Sequence, residues 1–303
     1  MKVEMKQLAV LSGKGGTGKT TVASSFIRLA ENRAFADCDV EAPNLHQIFL
    51  RDETPEKRPY YGLKKAVIDE NICNGCGRCE TLCKFGAIRK GKVNLYECEG
   101  CGVCEAVCPV RDETGRPAVR LEERVSGSTM LYHTRSGTFS TSELKIGSGA
   151  SGRLVSQVRA NLYRAAEKEE LIILDGSPGI GCPVIASVTG VEMVLVVAEP
   201  TLSGIHDMER ILETVRRFGA KTAVCINKYD ISADNTVRIE KFCETSAVPL
   251  VGKIPYDKTV IQAVNPGKAV VDFPDSRAGK EIREIWRKVF HMLTHVQNKR
   301  EGD

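Results

Sequence analysis

Two groups of residues have the types and spacing to do chemistry. The first runs Gly13, Lys14, Gly15, Gly16, Thr17, Gly18, Lys19, Thr20, Thr21: a glycine, four residues, then Gly-Lys-Thr. Such a loop cradles phosphates. Its glycines let backbone N–H groups turn inward, Lys19 reaches the outer phosphates, and the Thr20 hydroxyl is offered to Mg²⁺. One lysine suffices for that work, so Lys14 is surplus to phosphate binding. Phosphoryl transfer also needs an acid near the metal and a group that orients the attacking water. Asp39 follows a short apolar run, and Asp175 ends the apolar LIILD ahead of a flexible Gly-Ser-Pro-Gly. These two are the candidates, with Asp175 near Mg²⁺ directly or through water.

The second group is a set of cysteines. Of the 12 in the chain, eight fall between positions 73 and 108. Cys73, Cys76, Cys79 and Cys83 form C-x-x-C-x-x-C-x-x-x-C, and Cys98, Cys101, Cys104 and Cys108 repeat it, with Pro109 following. In a long chain such clustering points to metal or redox chemistry rather than disulfides. This spacing holds two [4Fe–4S] clusters by exchanging the fourth ligand, so the expected sets are Cys73, Cys76, Cys79 with Cys108, and Cys98, Cys101, Cys104 with Cys83. Paired C-x-x-C also serves zinc, but four evenly spaced cysteines per run fit cubanes better. Cys38, Cys225 and Cys243 lie in or beside apolar segments and read as small buried hydrophobes. Cys182, which follows the Gly-Ser-Pro-Gly stretch, is read as a structural thiol too.

The elements around these groups must place them. KQLAVLS (6–12) reads as a buried strand, the glycine loop follows, and TTVASSFIRLAEN (20–32) has helical spacing. A second strand over 34–38 delivers Asp39. RLVSQVRANLYRAAEK (153–168) is an amphipathic helix ahead of the strand 171–175. Strands at 193–200, 222–227 and 248–255 alternate with helices at 206–219 and 236–245, and a packed amphipathic helix over 278–296 closes the chain. Alternation of this kind implies an α/β fold: a doubly wound, mostly parallel sheet of the P-loop NTPase type, with ligands at the carboxyl ends of the strands. The charged, proline-containing RDETPEKRP (51–59) marks entry into an inserted small α+β domain, the two-[4Fe–4S] ferredoxin domain, over 61–121. The nucleotide-binding domain then takes 1–60 and 122–303.

Composition narrows the classes. The 303 residues are 42% apolar and 27% charged, an ordinary globular balance with enough material for a sizeable core. A net charge of +4, aromatics at 6% and no block of like charges offer no nucleic-acid groove. No run of about 18 apolar residues exists for a membrane span, and the N-terminal apolar run is too short for a signal peptide. The expectation is a cytoplasmic protein without a membrane or nucleic-acid partner.

With these motifs in place, KGGTGKT with its additional lysine, DCDVEAPN, LDGSPGIG, INKYD and IPYD together resemble the deviant-Walker P-loop ATPases related to MinD, ParA, Mrp and the nitrogenase iron protein, over residues 5–60 and 125–295. Residues 63–121 resemble a two-cluster bacterial ferredoxin, with Lys84 where proline usually follows the fourth cysteine. The resemblance implies that Lys14 reaches across a dimer interface to the partner's nucleotide. It also implies that Asp39 positions or activates water in a first switch, and that Asp175 is the second-switch acid near Mg²⁺. Asn227, Pro255, Tyr256 and Asp257 would contact adenine. The implied protein binds and hydrolyses ATP as a homodimer or as a heterodimer with a sister ATPase. It couples dimer closure and switch movement to electron transfer, or to docking of a redox partner, through the ferredoxin insert. The iron protein's cluster-bridging cysteine lies where Cys182 does, but no clear second cysteine accompanies it here. Two alternatives stand beside this: an iron–sulfur assembly or carrier ATPase of the Mrp type, and a non-redox positioning or partitioning ATPase.

Overall fold

The computed structural model describes residues 5–30, 34–50, 52–145, 148, 151–166, 169–264 and 266–295. The helix ends expected at Asn32, Lys168 and Val296 lie outside the described residues. KQLAVLS forms β1 (Lys6–Ser12), and its stretch from Leu8 to Ser12 is fully buried, as a central parallel strand requires. The glycine loop leads into α1 (Lys19–Leu29), β2 (Ala34–Asp37), the short α2 (His46–Phe49) and β3 (Glu56–Tyr61). The cysteine-rich stretch holds β4 (Lys65–Ile68), α3 (Arg78–Leu82), β5 (Ile88–Arg89), β6 (Lys92–Val93), α4 (Val103–Ala106) and β7 (Val119–Glu122).

Two longer strands follow, β8 (Val125–Thr134) and β9 (Gly137–Leu144), joined over Arg135 and Ser136. The α/β alternation then resumes with α5 (Ser151–Ala165), β10 (Leu171–Pro178), α6 (Cys182–Val188) and β11 (Met193–Ala198). It continues through α7 (Leu202–Arg216), β12 (Lys221–Asn227), α8 (Ala233–Thr245) and β13 (Leu250–Ile254), and ends with α9 (Thr259–Val264) and α10 (Arg277–Thr294).

Nine strands make one sheet in the order β13-β12-β11-β1-β10-β2-β9-β8-β3. Every ladder from β13 to β9 is parallel. The chain order reverses at β1, which sits between β10 and β11, so the glycine loop leaves the sheet at the point where open α/β sheets bind ligands. α1 and α10 pack together in one layer, and α5, α6, α7 and α8 follow one another in the other. The stripe Ile282, Ile285, Val289 and Leu293 of α10 is buried, and Trp286 packs its ring 4.9 Å from Phe26 of α1. That burial makes α10 a packed core helix. Among the described residues no helix is long and apolar enough to cross a membrane.

The chain divides into two compact units. One comprises Met1–Lys57, Thr129–Ser142 and Ser151–Asp303; the other comprises Arg58–Ser128 and Glu143–Ala150. The second unit is wider than the 61–121 expected from cysteine spacing, because it takes in most of β3 and the outer ends of β8 and β9, which carry no cysteine to mark them. Inside it, β4 pairs antiparallel with β7 and β5 with β6. Gly75 and Gly77 in the first cysteine run, and Gly100 and Gly102 in the second, all adopt positive φ. Gly77 and Gly102 then cap α3 and α4, so the sequence duplication is a duplication of loop and helix as well.

Candidate functional site

The glycine loop is held from two sides. A Cβ on Gly18, at φ 91°, would lie 2.1 Å from the Asn227 side-chain nitrogen, and one on Gly13 would lie 2.2 Å from Asp207 Cβ. Only glycine fits at either place. Asn227 Nδ2 donates to the Thr17 carbonyl at 2.7 Å, so this strand-end amide props the loop from within.

At the mouth of the loop, Lys19 Nζ donates to Asp175 Oδ1 at 2.7 Å and lies 3.9 Å from Asp39 Oδ2. Thr20 Oγ1 donates to Asp175 Oδ2 at 2.7 Å. The structure thus brings Lys19, Thr20, Asp39 and Asp175 together. Burial opposes the charge on Lys19, yet Asp175 and the other two acids outweigh it and raise the ammonium's pKa. A further acid, Asp37, is fully buried at the end of β2. Its carboxylate accepts the N–H groups of Asp39 (3.1 Å), Asn44 (2.8 Å) and Leu45 (2.9 Å), which shapes the loop carrying Asp39. Burial and then the neighbouring Asp175 push Asp37 up to about 7, and burial raises Asp39 as well. Asp37 was readable from the rule that acids at the carboxyl ends of parallel strands face ligands.

Lys14 is engaged within its own chain. Its ammonium lies 2.9 Å from Glu199 Oε2 and donates to Thr201 Oγ1 (3.1 Å) and Ser203 Oγ (3.2 Å). Glu199 Oε1 also accepts from Lys228 at 2.8 Å, and Lys228 reaches the Gly16 carbonyl at 3.2 Å. Burial would raise Glu199, but the two lysines overcome it and hold the carboxylate below its ordinary value. Glu199 and Lys228 directly follow β11 and Asn227, the same strand-end position that marked Asp175.

Of the expected adenine contacts, Asp257 has another duty. Its carboxylate accepts from the Thr259 N–H (2.9 Å), the Ser276 hydroxyl (2.7 Å) and the Ala278 N–H (3.1 Å), and so anchors the starts of α9 and α10. Burial pushes this acid up, but the hydrogen bonds win and hold it well below the usual carboxylate range. Pro255 is buried, whereas Tyr256 is about half exposed and its N–H donates to Asp230.

Two observations bear on the fit of Mg-ATP. The Thr17 hydroxyl is buried in the loop with no protein partner, although buried polar atoms are normally paired. Three acids also face one ammonium, an excess that a divalent cation would balance, and Mg²⁺ characteristically takes only one or two protein carboxylates. The residues therefore fit the nucleotide and its metal. Beside Thr20 and Thr21 a cavity of ≈ 190 Å³ extends between α1 and the Asp39 loop, lined also by Ser24, Asn44, Gln47 and Lys268.

In the second unit, Cys83, Cys98, Cys101 and Cys104 line one small cavity of ≈ 20 Å³ together with Phe85, Ile88 and Leu121. Cys79 is raised by burial and further by Cys73 and Cys108, so these three thiols are near neighbours. Among the described residues no group of three or more His, Cys, Asp or Glu side chains converges in metal-holding geometry. The donor chemistry nonetheless fits iron–sulfur ligation: the thiols are grouped across the two runs and partly buried. The positive-φ glycine loops are of the kind that turns backbone N–H groups toward anions. Cys38 and Cys225 are fully buried thiols pushed up to about 12 by burial, and Cys243 to about 11. Cys182 is exposed at the start of α6.

The fold and the loop define a P-loop nucleotide-binding protein. Residues 8–270 match the family model described as the CobQ/CobB/MinD/ParA nucleotide binding domain, and the chain belongs to that family. It is 31% identical to the Methanocaldococcus jannaschii protein MJ0578 over 93% of this chain and 96% of the relative. It is 25% identical to the septum site-determining protein MinD of Bacillus subtilis over 93% of this chain and 88% of that one. Among solved structures, Pyrococcus horikoshii MinD complexed with Mg-ADP superposes with a TM-score of 0.59 at 17% identity, covering 96% of this chain and 98% of that one, a likeness of fold.

Proposed function

We propose that this protein is a Mg-ATP-hydrolysing switch whose second unit holds two [4Fe–4S] clusters, so that nucleotide state governs electron transfer or docking of a redox partner. The observation that carries the reading is the cavity lined by Cys83 from the first run and Cys98, Cys101 and Cys104 from the second, the crossed set that two-cluster spacing requires. When bound, the clusters would supply one-electron carriage.

The chain's own residues supply the rest. Lys19 exchanges Asp175 for the outer phosphates, and Thr20 and Asp175 are then left to the metal. Asp39, held beside Lys19, orients water and accepts its proton. Lys14 completes the site only after leaving Glu199, and in a dimer it would cross to the partner's nucleotide; the partner is a second copy or a sister ATPase. Adenine would lie against Pro255 and the exposed face of Tyr256, near Asn227 and Asp257.

Anaerobic iron and sulfide analysis with EPR on the reduced protein tests the cluster reading. About eight iron atoms per chain are expected, and about half that number in either Cys83→Ser or Cys108→Ser. Zinc in place of iron, or an iron content indifferent to both substitutions, would overturn it. A second reading, a non-redox positioning ATPase, is favoured by the likeness to proteins named septum site-determining MinD. An iron-free protein with nucleotide turnover intact would support that alternative.

A further inference from the structure

The β2–β10 ladder ends with Asp37 opposite Asp175, and β2 stops there. The contact between the two chains nevertheless continues for one more residue. The Cys38 N–H donates to the Asp175 carbonyl at 2.8 Å, and the Ser177 hydroxyl donates to the Cys38 carbonyl at 2.6 Å. Cys38 is wholly buried and Ser177 is 5% exposed, so water does not compete for either bond. Both backbone polar groups of Cys38 are therefore claimed by the segment that carries Asp175. Asp39 is the next residue.

We propose that Ser177 is a positioning residue for hydrolysis: its hydroxyl ties the Asp39 loop to the end of β10, so that the two acids move as one when nucleotide enters. Asp175 is bonded to Lys19 and Thr20, the two side chains that phosphate and metal must take over. The exchange shifts the end of β10. With the tie in place, Cys38 follows, and Asp39 arrives at the attacking water in register with the metal. Without it, the loop keeps a single bond across to β10, from the Cys38 N–H to the Asp175 carbonyl, and otherwise hangs on the Asp37 carboxylate, which fixes Asp39, Asn44 and Leu45 to one another and to β2. A small misplacement of a water-orienting group costs rate far more than binding, because nucleotide affinity comes from the glycine loop.

The proposal rests on the reading of Asp39 as the hydrolytic acid, and the test separates the two. Turnover of Mg-ATP is measured for the full protein and for S177A, S177T, D39N and S177A/D39N, with hydrogen–deuterium exchange on each. S177A should lower kcat roughly ten- to a hundredfold with KM changed by no more than about twofold. S177T, which keeps a hydroxyl, should recover part of the rate. S177A should lose nothing further in the D39N background, and exchange over 38–45 should rise in S177A while β1 stays protected. An unchanged kcat, an equal loss in the D39N background, or unchanged exchange over 38–45 would each overturn the proposal. Normal turnover in D39N would instead remove the Asp39 reading, and exchange over 38–45 would then judge the tie alone.

Discussion

Asp37, Asp39 and Asp175 face one ammonium, and burial first, then the neighbouring Asp175, pushes Asp37 up to about 7. An acid raised in the folded state binds its proton more tightly there than in the unfolded chain. Its stabilising contribution is therefore full below the ordinary carboxylate range and is lost as pH rises through about 7. Nucleotide-free protein should accordingly show its melting temperature falling between about pH 4 and pH 7, and Asp37→Asn should flatten that slope. Thermal melts across this range, repeated with Mg²⁺ and ATP, check both; a slope unaltered by D37N would remove Asp37 as its source. At this scale much was legible. The loop spacing named Gly13 to Thr20, and the strand-end rule named Asp39 and Asp175. The same rule also covers Asp37 and Glu199, since each stands at the end of an apolar run, but it does not say what each acid binds. What could not be read was that Lys14 meets Glu199, because that meeting depends on β11 lying beside β1, and neighbour order is not written in local periodicity.

Among the elements, α5 and α6 pack closely against one another beside the end of β10. Gly152 near the start of α5 sits on Cys182 at the start of α6, where a Cβ would come within 2.9 Å of the Cys182 Cβ and carbonyl oxygen. Buried Arg159 of α5 donates to the Ala186 carbonyl of α6 and to Gln7 of β1. A Gly152→Ala chain must push α6 away, at a cost of about 1–3 kcal/mol as in other overpacked sites. A lower melting temperature and altered turnover are expected. Adding Cys182→Ser should not restore either, because the clash is with backbone and Cβ rather than with sulfur. Restoration by C182S would show that the thiol itself matters. Periodicity placed α5, since apolar spacing is local, but it gave no helix over α6, whose seven residues are too few to show a period. Their contact was hidden, because a glycine inside a helical pattern reads only as a weak position until its neighbour is known. The duty of Asn227 was hidden because its amide bonds to Thr17, far along the chain, and that of Asp257 because two of its partners lie beyond α9, at the start of α10.

For the molecule as a whole, the position of Lys14 sets a threshold. Its ammonium is paired at home with Glu199, so the transfer to another chain proposed above would have to replace an ion pair and two hydroxyl contacts. Turnover per chain should then rise with protein concentration and level off once dimers dominate. Lys14→Ala should remain at the low rate at every concentration while still binding nucleotide, within about threefold of the original affinity. Rates over a dilution series, with light scattering in parallel, decide this; a concentration-independent rate would remove the dimer requirement. The nine-strand sheet also has an outer border at β3, with sequence EKRPYY, in which only Tyr60 is buried. Pro59 has no N–H to give, and Glu56, Lys57 and Arg58 are charged and exposed. Borders of that composition do not template the sheet of a neighbouring molecule. Copies brought close together are thus steered away from stacking edge to edge at this border, and any self-association is kept from running on into aggregates through it.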